Sequence, residues 1–457
     1  MDVLVARCAG LEVGKDEVQA CVRVPDPDNP GERWSQTRTF CTFTSWLEQL
    51  TDWLAGHGVT QVVMEATGQY WKPIWYVLED RGFELMLVNA RHVKILPGRK
   101  TDVSDAEWLA QLLEHGLLRG SFVPPPRVRQ LRDLTRLRKK FVQAHTAETQ
   151  RVQKVCEDAG IKLGSVASDV LGVSGRAMLT ALIGGERDPK VLAELARGRM
   201  RAKLPDLREA LRGRFSEHHA LMLRLEMEHL WQLEHAIGEL DDRIDALMNQ
   251  EPPDPPPGPG GGTEHPTGTT PAGPAGDAAG GTGEGSAEDA RSPFVRARDH
   301  LDTITGVAQR AAENLIGEIG IDMSCFPSPA HLASWACMCP GNNITGGKRK
   351  SGKTREGNPW IRDLLVECAW AASRARGTYL HAQFWKLAGR IGKKKAAVAV
   401  GHSILVIAWH LLSTDADYVD LGGDYYTRHN EPSDRRRSRA VATLQALGYD
   451  VQLTPAA

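Results

Sequence analysis

Glu12, Glu65, Asp102 and Asp105 are the residues of this chain whose type and spacing best fit chemistry. Glu12 ends the apolar stretch Cys8-Ala9-Gly10-Leu11, which a Gly-Lys-Asp turn joins to a β-rich run, and Glu65 ends Val62-Val63-Met64. Asp102 and Asp105 stand three apart where a helix is expected to begin, so both should face one side of its first turn. Carboxylates at strand ends together with a helix-borne pair would offer a pair of divalent cations several oxygen ligands. Such metals bridge the attacking and leaving oxygens of a phosphodiester. Each residue also has a plainer reading. Glu65 could be the first solvated residue of a loop, and Ser104 or Asp102 could simply cap a helix.

The elements that must position these residues can be read from the periodicity of the first 123 residues. Two β-rich runs, about 6–13 and 17–25, are followed by a third from Arg38 to Phe43. An amphipathic helix follows from Ser45 to Ala55, with Trp46, Leu47, Leu50, Trp53 and Leu54 at helical spacing. A strand at 60–65, a helix at 70–80 and a strand at 83–89 complete an α/β core. Three successive strands, then helix, strand, helix, strand and helix, is the order of an RNase H-like fold. That order would return Lys100 to Ala106 to the sheet edge that carries Glu12 and Glu65.

Beyond Pro124-Pro125-Pro126 the chain reads as helical. A long helix from Val128 to about Glu157 carries a basic face of Arg129, Arg132, Arg136, Arg138, Lys139 and Lys140. Leu230, Leu233, Ile237, Leu240, Ile244 and Leu247 alternate three and four apart on a second long helix, as in a coiled coil. An internal helical hairpin and a dimer seam fit that run equally. The Pro/Gly/Thr/Ala tract 251–292 cannot build a core and reads as a disordered linker. The expected domains are therefore 1–123, 124–250 (helical, coiled coil), the linker, 293–412 (mostly α) and a peripheral tail, 413–457.

Composition is that of a soluble globular protein, with 41% hydrophobic and 25% charged residues. The net charge of −1 would argue against a nucleic-acid partner, but the charges are unevenly spread. Eight scattered cysteines without a C-x-x-C pair read as reduced thiols rather than a zinc site. No signal peptide is visible and no apolar run reads as long enough to span a bilayer, so a cytoplasmic protein without membrane contact is expected.

A second constellation lies at 341–362, where six basic residues (Lys348, Arg349, Lys350, Lys353, Arg355, Arg362) stand against one acid among glycines and hydroxyls. Glycines let backbone amides approach phosphates and the cations neutralise them. The spacing of Gly347 and Gly352 before Lys353-Thr354 meets the P-loop formula, but no strand is expected to precede it. Ile304-Thr305-Gly306-Val307-Ala308, between helices expected at 298–303 and 309–319, reads as a plain helix-helix turn. Lys393-Lys394-Lys395 reads as a solvated run before an apolar helix, Ala396 to Leu412, on which His402 and His410 are packed or surface histidines.

Four stretches carry a resemblance to a known family. They are Cys8 to Val13, Met64 to Pro73, Pro97 to Asp102 with Asp105-Ala106-Glu107, and Pro340-Gly341-Asn342-Asn343 through Gly357-Asn358. The chain resembles the transposases of the insertion-sequence-110 family, relatives of the Piv-type DNA invertases. The resemblance implies a RuvC-like N-terminal domain whose acidic tetrad binds Mg²⁺, a coiled-coil segment, and a C-terminal domain with a serine nucleophile that joins DNA covalently. It also implies DNA ends and target as substrates, a structured guide RNA, and a homo-oligomer, dimer or tetramer, with composite sites. Carried over, the tetrad is Glu12, Glu65, Asp102 and Asp105, with Glu12 where the family has Asp. The family's serine falls at Thr345, and Thr305 and Ala308 stand where Pro and Gly are usual. These departures imply a diverged copy with impaired activity. A non-catalytic nucleic-acid binder is the alternative. An actin-like ATPase would need further Gly-rich phosphate loops, and a junction resolvase would need the tetrad but not Thr345.

Overall fold

The computed structural model describes residues 2–89, 93, 104–250, 291–340, 343–345, 348–351, 354, 357–426 and 433–453. It divides into two compact units, 1–123 and 124–457.

The first unit is built on a five-stranded sheet of β1 (Cys8–Val13), β2 (Glu17–Pro25), β3 (Arg33–Cys41), β4 (Gln61–Glu65) and β5 (Glu84–Val88). The spatial order is β3-β2-β1-β4-β5. β1 to β3 form an antiparallel meander, while β4 runs parallel to β1 and β5 parallel to β4. β3 begins five residues earlier than its sequence suggests. Arg33, Ser35, Gln36 and Thr37 give no apolar alternation because β3 is an edge strand with little of its surface buried.

One face of the sheet, with Ala9, Leu11, Val62 and Met64, packs on α1 (Thr44–Gly56) and α2 (Trp71–Glu79) through Leu47, Leu50, Leu54, Ile74 and Leu78. The other face, with Cys8 and Val63, lies under α3 (Asp105–Glu114), which contributes Leu109, Leu112 and Leu113. Because strand side chains alternate, two separate helical layers can be served by one set of strands.

The second unit opens with α4 (Pro126–Asp158), started by a proline at its first turn, where no amide partner is lost. The short helices α5 (Leu163–Val166), α6 (Val173–Ile183), α7 (Pro189–Glu194) and α8 (Leu204–Ala210) follow. Then comes α9 (Glu217–Asn249), antiparallel to α4. Arg127 reaches Leu247 O, Arg138 reaches Asp241, His145 reaches Glu234 and His219 reaches Asp158. Leu230, Leu233, Ile244 and Leu247 of the heptad-like run are buried within the chain itself, so the seam they form is internal.

The remaining helices are α10 (Pro293–Asp302), α11 (Gln309–Ile319), α12 (Pro329–Trp335), α13 (Pro359–Ala372), α14 (Tyr379–Ile391), α15 (Lys393–Thr414) and α16 (Ser433–Ala446), with a two-stranded β6 (Asn343–Thr345) and β7 (Lys348–Ser351). Contrary to the sequence expectation, α15 is apolar enough over its 22 residues to cross a bilayer. Ala396, Val400, Ile404, Leu405 and Ala408 are nevertheless buried by α10, α12, α13 and α14, as in the central helix of a packed bundle. The start of the expected tail is also bound to this bundle. His300 pairs with Asp415 and Asp417, and Asp420 accepts from Thr305, Tyr418 and the backbone amides of Tyr379 and Gly422.

Candidate active site and nucleic-acid surfaces

Gly10 sets the geometry of the carboxylate end. A Cβ there would overlap the carbonyl oxygen of Ala106 and sit 2.5 Å from Ala110 N, so α3 rests directly on the β1 backbone. A glycine inside a strand pattern marks such a close approach. The notch fixes α3 against the face holding Cys8, Gly10 and, two residues on, Glu12.

Glu65 lies on the same face as Val63, on the neighbouring parallel strand. The pairing Leu11↔Met64 puts Glu12 and Glu65 one residue further along, at the same end of the sheet. Asp105 opens α3 beside Ala106, so its carboxylate enters at that end too. Glu12 is exposed, while Glu65 and Asp105 are half-buried.

Ser104 caps α3 in a reciprocal box with Glu107, whose carboxylate also accepts from Thr37 of β3. The helix therefore begins at Asp105, and the cap belongs to Ser104. Asp102 lies outside the described residues. At its other end α3 is held by Glu114, which is buried and ion-paired to Arg23 (2.8 Å) and Arg33. Glu107 and Glu114 thus fix the rotation and register that aim Asp105. The sequence showed Glu107 only within a motif and did not flag Glu114, because their partners lie 70 to 91 positions away.

The three described carboxylates share a face and an end without closing on one another. Among the described residues no three His, Cys, Asp or Glu side chains gather closely enough to hold a metal ion. Cys8 shares the face, but it is buried, and burial pushes its thiol up to about 12, which keeps it protonated near neutral pH. All eight cysteines are free, as expected.

In the second unit, Thr345 ends β6 and pairs with Lys348, while Arg349 and Lys350 continue β7. Lys353 and Arg355 lie outside the described residues. The base of the pair is closed by a bridge from Pro340 to Thr354, whose hydroxyl accepts from Arg362 at 2.9 Å. Arg362 therefore ties this hairpin to α13. Gly357 has no room for a Cβ, which would sit 2.7 Å from Cys337 Sγ. Asn358 caps α13 through its carbonyl and donates its amide to Glu318 at 2.6 Å.

Glu318 also accepts a two-pronged bond from Arg136, at 2.6 and 2.8 Å, and Arg132 binds the Gly317 and Glu318 carbonyls. Arg138 pairs with buried Glu313 and with Asp241, and Lys139 with Glu367 at 3.4 Å. Burial brings the Arg132 guanidinium down to about 10, which leaves it charged at neutral pH. Arg132, Arg136, Arg138 and Lys139 are thus spent inside the fold, where they join α4 to α11, α13 and α9, while Lys140 stays exposed beside the Trp360 ring. The turn at Gly306 is likewise structural. Its φ is +88°, and a Cβ would come within 2.6 Å of the α13 backbone at Cys368 and Ala372.

A family model described as a transposase of the IS110 family, with DEDD in its name, matches residues 9–159. A second, described as Transposase IS116/IS110/IS902 family, matches residues 298–385. The first covers the sheet with its carboxylate end and α4, and the second covers the part of the helical unit that holds the hairpin. The chain belongs to the IS110 family of transposases. It is 24% identical over 364 residues to a family 20 transposase of Pseudomonas aeruginosa, covering 78% of this chain and 85% of that one. It is also 35% identical over 112 residues to a Sinorhizobium fredii protein named as transposase y4qE, an alignment that spans about a quarter of either chain.

Proposed function

We propose that this chain cuts and rejoins DNA strands at the ends of an insertion sequence, using a carboxylate site in an RNase H-like (RuvC-like) first unit and the Thr345 hydroxyl of the second. The observation that carries this reading is the shared sheet face and end of Glu12, Glu65 and Asp105, set by the Gly10 notch. The strand order β3-β2-β1-β4-β5, with only its first three strands antiparallel, supports the fold assignment.

The donors are all carboxylate oxygens, which suits a hard cation such as Mg²⁺. Glu12, Glu65 and Asp105, completed by Asp102, would hold it. When bound, Mg²⁺ supplies Lewis-acid polarisation of a phosphodiester oxygen.

Thr345 would attack phosphorus, forming an Oγ–P bond while the P–O bond to the departing sugar breaks and that oxygen takes up a proton. The ester so formed conserves the bond for rejoining. Lys348, Arg349, Lys350, Lys353 and Arg355 would neutralise the strand around it. Guidance by a structured RNA and work as a homo-oligomer are supported by the family resemblance alone, and a cytoplasmic location by the sequence reading alone.

Glu12 and Thr345 both depart from the family's Asp and Ser. An extra methylene moves an oxygen by about a bond length, and placement errors near 1 Å cost roughly a hundredfold in rate. Threonine's β-methyl restricts χ1 and crowds in-line attack. Thr345→Ser and Glu12→Asp should therefore each raise the rate of covalent protein–DNA adduct formation on element-end DNA supplied with guide RNA. If neither the single nor the double variant gives an adduct, this copy binds nucleic acid without exchanging strands.

A further inference from the structure

Between Cys368 and Thr414 the chain has no Asp or Glu but seven Lys and Arg: Arg374, Arg376, Lys386, Arg390, Lys393, Lys394 and Lys395. All seven are exposed. No described carboxylate pairs with any of them, in contrast to the basic face of α4.

One of them, Lys393, lies over an exposed aromatic, Trp385, and another, Lys386, lies over Tyr426 at 4.0 Å. Trp385 is 46% exposed, and its indole N–H donates to Ser373 O at 3.1 Å, which ties the ring to the backbone just before Arg374 and Arg376. Lys393 Nζ lies 5.3 Å from the ring centroid, and Arg390 follows five residues after Trp385 in the last turn of α14. Phe384 braces the ring from below at 5.4 Å and 75°.

Two features of this face run against stability. A large indole is left in water, and three lysines fill the first turn of α15, where the helix dipole favours anions by about 0.3–1 kcal/mol per charge. Neither arrangement is explained by the packing of α14 on α15. Cations around an open aromatic ring are what an unpaired nucleic-acid strand requires, with phosphates neutralised and a base stacked.

We propose that this face of α13, α14 and α15 binds an unpaired DNA strand, with Trp385 as the stacking platform and Arg374, Arg376, Arg390 and Lys393 around the phosphates. The choice of DNA over RNA rests on the strand-exchange reading above, since exchange frees unpaired DNA.

The test uses the full chain, a fluorescent oligo-dT, a duplex of equal length and oligo-rU, all in EDTA so that no cleavage intervenes. Trp385→Ala should weaken oligo-dT binding between about fivefold and a hundredfold, as loss of one stacked base does. Trp385→Phe, which keeps a ring but loses the bond to Ser373, should bind within a few-fold of the parent. Lys393→Gln should flatten the slope of log affinity against log salt by about 0.7. Parental binding by Trp385→Ala, equal or tighter binding of the duplex, or preference for oligo-rU would each overturn the proposal. The adduct assay on the same proteins separates the two readings. Trp385-dependent binding without any adduct leaves this surface standing, and adducts with Trp385-independent binding remove it alone.

Discussion

Single residues decide the carboxylate end, and they differ in how visible they are. Glu12 and Glu65 could be found because each closes an apolar run, and strand periodicity then fixes which way a side chain points. Asp105 could be found but not aimed, since the sequence alone left the cap open between Asp102 and Ser104. Gly10 was visible only as part of a motif, although it decides how close α3 comes to β1. Gly10→Ala should therefore do more than fill a gap. The new methyl meets helix backbone, which cannot swing aside as a side chain could, so α3 must lift from the sheet. A loss of about 1–3 kcal/mol is expected, as for other overpacked cores. Urea denaturation of the variant, beside its adduct yield, checks this. Unchanged stability would mean that α3 does not press on β1.

At the scale of elements, the lesson is about charge. The run of arginines and lysines on α4 reads in sequence as an open basic face, with only Asp133 among them. The opposing acids, Glu313 and Glu318 on α11 and Glu367 on α13, lie more than 170 positions further on, and only folding brings them in. The elements themselves were legible where burial is one-sided, as in α1, or where a proline or heptad-like run marks them, as in α4 and α9. The edge strand β3 was blurred for the opposite reason.

Glu318 joins α4, α11 and the cap of α13, from which the hairpin of Thr345 departs. Glu318→Ala should cost about 1–3 kcal/mol, because it takes the acceptor from Arg136 and Asn358, while Arg132 keeps its bonds to the Gly317 and Glu318 carbonyls. Asn358→Ser separates capping from anchoring. Serine still caps a helix but cannot donate to Glu318 in the same way. Its thermal midpoint should stay near that of the parent while the adduct rate falls. A parental rate would show that the hairpin is not anchored through this bond.

Over the whole molecule, a net charge of −1 conceals a segregation that only the fold sorts out. Arg136, Arg138 and Lys139 of α4 are opposed by acids within the fold, positive charge on α14 and α15 is left open, and Glu12, Glu65 and Asp105 lie at one end of the sheet. Sequence could name the family and the order of the elements. It could not tell a spent basic face from an open one, because that distinction depends on contacts between distant segments.

The central claim is that Glu12, Glu65 and Asp105 serve one cation. Iron(II) can take the place of Mg²⁺ and, with ascorbate and peroxide, cut the backbone around the place it binds. Cuts are expected near all three residues, in the segments after β1, after β4 and at the start of α3, and should be suppressed by excess Mg²⁺ and by Glu65→Gln. Cuts confined to one of these segments, or a pattern unchanged by Glu65→Gln, would contradict the account.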